Sequence, residues 1–263
     1  MRPKPYIGIT GFMSRAEVDD VIAILPEYYD RRLVMIGVLA TNRTIRWEQN
    51  KRPGRYPKPN VLGTIFPPHN KSHEVFNVIH FYSDEPCCYF PDLCETQALA
   101  GLNFDAFQLN VPWPNKETLA LVKDSRLFNG KKIVLQCGPQ ALAVCDHDPV
   151  KIATRVREYD TLIDYVLIDP SGGVGKKFDL RFAKNCFYEL GAIADIGLGI
   201  AGGLKPHTLA RQIKPLLKEF AKDLGGFSID IETGVRTLHD NLDIIKAQDF
   251  LITAHHIYSQ FGI

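Results

Sequence analysis

The stretch Asp164-Tyr165-Val-Leu-Ile-Asp169-Pro-Ser-Gly172-Gly173-Val-Gly175-Lys-Lys-Phe178-Asp179 is a short apolar run that ends in glycines and gives way to a helical pattern. Two later units repeat it: Ile200-Ala-Gly202-Gly203-Leu204-Lys-Pro206, and Phe227-Ser-Ile-Asp-Ile-Glu-Thr233-Gly234-Val235. Each unit leaves unpaired backbone N–H groups at a helix start, where they attract phosphate. One strand-to-helix turn takes glycine readily for reasons of its own. Three in succession point to a phosphate-binding face.

Working outward, the same alternation fills the rest of the chain. Tyr6 to Thr10 reads as a strand, and Ser14-Arg-Ala-Glu17 as a capping box ahead of Val18, Val21, Ile22 and Leu25 at helical spacing. Leu33 to Ala40 is a near-continuous apolar run, as in a parallel strand covered on both faces. Further strands are expected at Val75–Tyr82, Ala106–Asn110 and Lys132–Gln136, then ending at Asp169, near Ala201 and at Ile231. Pro91, Asn115, Asp148-Pro149, Asp179 and Pro206 open the helices between them. Pro215 should kink or interrupt its helix, and Leu242 and Ile245 belong to a closing helix. Eight strand–helix units in 263 residues predict a single (β/α)₈ TIM barrel spanning residues 1–263. The competing open, doubly wound sheet wants a glycine-rich turn after the first strand, which Thr10-Gly11-Phe12 does not supply.

Residues 41–72 break the rhythm. This insertion after strand two holds Arg43, Arg46, Lys51, Arg52, Arg55 and Lys58, with Pro53, Pro57, Pro59, Pro67 and Pro68. It reads either as a solvated insertion or as an arginine-bearing flap over an anionic ligand.

A net charge of +1 gives no sign of a nucleic-acid partner, and no apolar run approaches the roughly 20 residues that span a bilayer. Met1-Arg-Pro-Lys-Pro enters a strand without the apolar core of a signal peptide, so a cytoplasmic protein with reduced thiols is expected. Neither Cys87-Cys88 with Cys94 nor His69 with His73 has metal-ligand spacing. No cofactor is implied, and the oligomeric state is left unspecified.

Leu167-Ile-Asp169, Gly172 to Asp179, Ala201 to Pro206 and Asp230-Ile-Glu-Thr-Gly-Val235, with weaker echoes at Gly8-Ile-Thr10 and Gln108-Leu109, resemble the phosphoribosylanthranilate isomerases of tryptophan biosynthesis. The resemblance implies a (β/α)₈ barrel, a small phosphorylated substrate and an Amadori rearrangement. In that reaction an acid opens a furanose ring and a base takes the proton from the sugar's second carbon. It implies Asp169 as the acid, with a pKa raised above the usual carboxylate value. Gly172, Gly173, Gly202, Gly203, Thr233 and Gly234 would hold the phosphate. Arg55 and Gln108 would contact the rest of the substrate.

The chain departs from the family at the base. Ile7 stands where the family carries a cysteine, Asn110-Val111 replaces a His-Gly, and Asp169 lies unusually close to Gly172. Gln108 and Asn110 point inward on strand four but do not titrate. His80 is therefore the remaining ionisable candidate. Without its base the isomerase activity would be altered or lost. The alternatives are a non-catalytic phospholigand-binding protein or another phosphosugar-converting barrel. Schiff-base aldol cleavage would want a lysine at an inner strand end, and none is evident.

Overall fold

The computed structural model describes residues 2–25, 29–68, 73–85, 89–128, 130–172 and 177–263. Eight strands, β1 (Tyr6–Thr10), β2 (Tyr29–Thr41), β3 (His73–Tyr82), β4 (Ala106–Leu109), β5 (Lys132–Cys137), β6 (Tyr165–Ile168), β7 (Gly197–Ile200) and β8 (Ser228–Ile231), close into a barrel in sequence order. Every neighbouring pair is parallel, and β8 returns to β1 with Gly8 opposite Asp230. The (β/α)₈ expectation therefore holds.

Helices follow the strands: α1 (Arg15–Ile22), the short α2 (Asn42–Ile45) and α3 (Leu62–Ile65) after β2, α4 (Tyr89–Ala100), and α5 (Lys116–Asp124). Then come α6 (Pro139–Val144) and α7 (Pro149–Arg157) after β5, α8 (Leu180–Gly191), α9 (Leu209–Leu224) and α10 (Ile244–Ser259). The expected caps form. Ser14 and Glu17 make a reciprocal box, and Asn115, Asp148 and Asp179 each accept from a backbone N–H in the first turn of their helix.

Two helices differ in detail from the expectation. Pro215 lies inside α9 without interrupting it. The apolar stripe of Leu209, Ile213, Leu216, Leu217 and Phe220 is buried along the whole helix, and tertiary packing of this kind outweighs one missing backbone bond. The expected closing helix forms as α10 and includes Ile245, which is exposed, while Leu242 precedes it in a bridge with Arg236. The buried face of α10 is instead Ala247, Phe250, Leu251, Ala254, Ile257 and Tyr258.

Strand alternation sorts the apolar residues into two cores. Ile7, Ile9, Ile36, Val38 and Cys137 pack outward beneath the helices. Tyr6, Met35, Phe76, Val78, Val134 and Tyr165 fill the barrel interior. The rings of Tyr6, Phe76 and Tyr165 meet with centroids 5.4–5.7 Å apart and plug the N-terminal end. Glycine on β7 makes room for this: a Cβ at Gly197 would lie 2.2 Å from the Tyr165 ring. Above the plug the inward positions turn polar, and that polar layer lies at the C-terminal mouth, where barrels of this kind carry their sites.

Candidate functional site

The floor of the mouth is a hydrogen-bonded chain of buried side chains. Thr10 Oγ1 donates to Asp230 (2.9 Å to Oδ1, 3.1 Å to Oδ2), and Gln108 Nε2 donates to Asp230 Oδ2 (3.3 Å) and to Gln136 Oε1 (3.1 Å). Gln136 Nε2 donates in turn to Asp169 Oδ2 (2.9 Å). Asp169 Oδ1 accepts from Ser171 N and Gly172 N (3.1 Å each) and from Ser171 Oγ (3.0 Å). The short interval between Asp169 and Gly172 thus lets the aspartate cap its own loop. It stays at the mouth beside Gly202, where a Cβ would lie 2.7 Å from Asp169 Oδ1.

Two cavities open above this floor. The larger, about 570 Å³, is lined by Gly202, Gly203, Thr233, Gly234 and Asp230 on the side of β7 and β8. The smaller, about 310 Å³, is lined by Lys51, Arg52, Tyr56, Tyr82 and Gly172 on the side of the insertion. His80, Gln136, Asp169 and Glu232 border both. The two cavities therefore form one trough across the barrel mouth.

The far end of the larger cavity is built from backbone. Gly202 and Gly203 have φ of +87° and +73°, the left-handed region that glycine enters without strain. Among the described residues no acceptor within the chain takes the N–H of either. Short 3₁₀ turns at Pro206–Thr208 and Thr233–Val235 follow β7 and β8. A Cβ at Gly234 would stand 2.3 Å from the Leu204 carbonyl oxygen, so only glycine lets the two loops approach this closely. Gly202, Gly203, Thr233 and Gly234 come together as expected. Gly172 does not join them: its N–H is taken by Asp169, and it faces the smaller cavity. Gly173 lies outside the described residues, as do His69, Cys87 and Cys88.

At the opposite end the insertion is neither loosely solvated nor an open flap. Leu62, Ile65 and Phe66 pack into the outer core. Arg55 was expected to offer its charge to an anionic ligand, yet it is buried in ion pairs with Glu232 and with Asp240 (2.6 Å). These contacts pin the insertion to the loops around β8, and the Arg55 guanidinium holds the Asp240 carboxyl below its ordinary pKa. Cationic side chains from the same segment still border the smaller cavity, among them Arg43, Lys51 and Arg52.

The remaining sequence-chosen residues separate cleanly. His80 points into the trough from β3 and is buried, with no hydrogen-bond partner for either ring nitrogen among the described residues. Burial lowers the His80 pKa, opposed by the charges of Glu232 and Asp169, so the ring is neutral at pH 7. The neighbouring Gln136 amide also favours the protonated ring. Gln108 lies beneath the trough and holds Asp230 and Gln136 instead of lining the cavity. Ile7 faces outward, away from the mouth, and Gly8 is the inward residue of β1. A thiol at position 7 would therefore sit under the helices.

Asp230 was not singled out from the sequence. Burial raises its carboxyl to about 7; the hydrogen bonds from Gln108 and Thr10 oppose that rise, and the charges of Glu232 and Asp169 add to it. Its signal was present all the same, as a lone carboxylate at an inward position of the apolar run Phe227–Ile231.

No family model matches the chain. Over 79 residues it is 28% identical to the N-(5'-phosphoribosyl)anthranilate isomerase of Methanococcus aeolicus, a match covering 30% of this chain. The chain thus spans about a third, 34%, of the length of that relative. Among solved structures, phosphoribosyl anthranilate isomerase from Thermus thermophilus shares the fold over 98% of this chain and 100% of its own, with a TM-score of 0.59 and 15% identity. A phosphoribosyl anthranilate isomerase in complex with reduced 1-(o-carboxyphenylamino)-1-deoxyribulose 5-phosphate aligns over 96% of this chain and 99% of its own, with a TM-score of 0.56 and 15% identity. The curated match is a likeness of sequence over less than a third of this chain, and the solved structures are a likeness of fold alone. Among the described residues no helix is long and apolar enough to cross a membrane.

Proposed function

We propose that the chain is a phosphosugar isomerase of the phosphoribosylanthranilate isomerase kind, acting on an N-linked 5-phosphoribosyl amine. The observation that carries this reading is the trough, with backbone N–H groups at one end, cationic and aromatic side chains at the other, and Asp169 and His80 between. A ligand with a phosphate at one end and a flat acidic group at the other suits it. The compound in the fold relative described above has that form. In this reading the phosphate rests on Gly202, Gly203, Thr233 and Gly234, and Lys51, Arg52 and Tyr56 face the amine substituent. Asp169 gives a proton to the ring oxygen, and neutral His80 hydrogen-bonds the opened sugar. Gly172, whose N–H is held by Asp169, stays outside the phosphate cradle, and Arg55 and Gln108 act by holding the walls and floor.

The test pairs binding with turnover. Calorimetry with the reduced carboxyphenylamino-deoxyribulose phosphate should show binding to the wild type. Purified protein should convert phosphoribosylanthranilate, followed by fluorescence. Asp169→Asn should keep the binding and lose about 10²–10⁴-fold in kcat, as expected for a general acid. Absence of binding in the wild type would refute the reading.

A further inference from the structure

We propose that Asp230 is the catalytic base of this trough, the group that takes the proton from the sugar's second carbon. The proposal rests on the phosphosugar reading above and adds the residue that reading lacks. Three observations carry it.

First, Asp230 borders the large cavity but has no cationic partner among the described residues, so its carboxylate is not committed to an ion pair. Second, its orientation is fixed. Thr10 from β1 and Gln108 from β4 both donate to it, and the Gln108–Gln136 bridge ties it to Asp169. One rigid floor therefore presents two carboxyl groups to the same ligand, as paired acid–base work requires. His80, with no hydrogen bond to set its tautomer, is less well prepared to accept a proton at a defined atom. Third, Asp230 stands in the space that β1 leaves empty. A Cβ at the inward residue Gly8 would lie 3.0 Å from Asp230 Oδ1 and 2.7 Å from Met35 Cε. The inward position of β1 thus carries no side chain, and the Asp230 carboxylate occupies that space. Burial also brings Asp230 to about 7, where a base exchanges protons most readily.

The proton count closes. Asp169 protonates the ring oxygen as the C1–O bond breaks, with that electron pair going to oxygen and the nitrogen lone pair forming C1=N⁺. Asp230 takes the proton from C2; the freed pair becomes C1=C2, and the C=N pair returns to nitrogen. On ketonisation the C2 hydroxyl returns its proton to Asp169 and C1 takes one from Asp230. Both carboxyls regain their starting forms, and no outside reagent is consumed.

The experiment uses the full chain, with phosphoribosylanthranilate for turnover and its reduced analogue for binding. Asp230→Asn should cut kcat by about 10²–10⁴-fold and leave analogue affinity within about fivefold. In the wild type kcat/KM should fall as pH drops below about 7, because a protonated carboxyl accepts nothing. The titratable groups that act on Asp230 are Tyr6 on β1, Asp169 beyond β6 and Glu232 beyond β8, and His80 on β3 borders the same cavity. The acid limb should therefore persist in His80→Ala. Asp230→Asn activity within tenfold of wild type, or a limb that vanishes in His80→Ala, overturns the proposal and leaves the phosphosugar reading standing. If Asp230→Asn does not fold, the wild-type profile decides, and a flat one between pH 5.5 and 8.5 overturns the assignment. A wild type that binds the analogue without turnover removes Asp230 as base but keeps the ligand site. One that does not bind removes both.

Discussion

The two ends of the trough are made from different material. Beyond β7 and β8 the wall is backbone, with two left-handed glycines and a third packed 2.3 Å (Cβ position) from a neighbouring carbonyl. Beyond β2 the wall is side chain, carried on a segment that includes α2, α3 and two 3₁₀ turns, and is locked down by Arg55. A backbone wall has few ways to change, because each glycine answers to its own φ and its neighbour's oxygen. A side-chain wall can change its charges one at a time while the barrel stays as it is. The first end is thus suited to a constant group such as phosphate, and the second to whatever distinguishes one substrate from another.

The contrast can be tested through the latch that joins the two ends. Arg55→Met leaves Glu232 and Asp240 without their cation. It should cost about 2 kcal/mol of stability, less than a fully buried pair because Asp240 is 36% exposed. The check is denaturant unfolding, which should also show a weaker dependence of stability on salt. An unchanged midpoint would mean that the insertion holds its place by packing alone.

A smaller effect should come from Gly203→Val, which puts a β-branched residue at φ +73°. Phosphosugar affinity should drop about tenfold, equivalent to about 1.4 kcal/mol, while circular dichroism shows the barrel intact. Equal loss for a ligand lacking its phosphate would break the assignment of this end.

The smallest effect is expected at the other wall. Lys51→Ala removes one exposed charge and should weaken an analogue with a carboxylate by about two- to threefold at low salt, consistent with the modest worth of exposed ion pairs. An analogue without the carboxylate should bind as before. A tenfold loss for both would show that the two walls differ less than their chemistry suggests.

The legibility of the molecule follows the same division. The three strand–glycine units were readable because a turn's chemistry is local, and Gly202, Gly203, Thr233 and Gly234 assemble as their motifs imply. Asp169 was readable for the same reason, three residues from the glycine it caps. Gly172 misled, since a glycine in a phosphate-like motif does not reveal which acceptor its N–H will meet. Arg55 was chosen for its charge, but the two carboxylates that take up that charge lie 177 and 185 residues away.

The sequence by itself determined the eight-unit barrel, the face that carries its site and the glycine-built end of the trough. Periodicity and turn preference act over a few residues, and each of these features rests on them. Tertiary structure alone decided that Ile7 points outward, that Gln108 is floor and not wall, and that Arg55 is a latch. It also decided that Asp230 is the buried carboxyl beside Thr10, 220 residues distant. Barrel closure sets these outcomes: it brings β8 against β1 and removes water from their shared inner face, and no local pattern in either strand records that meeting.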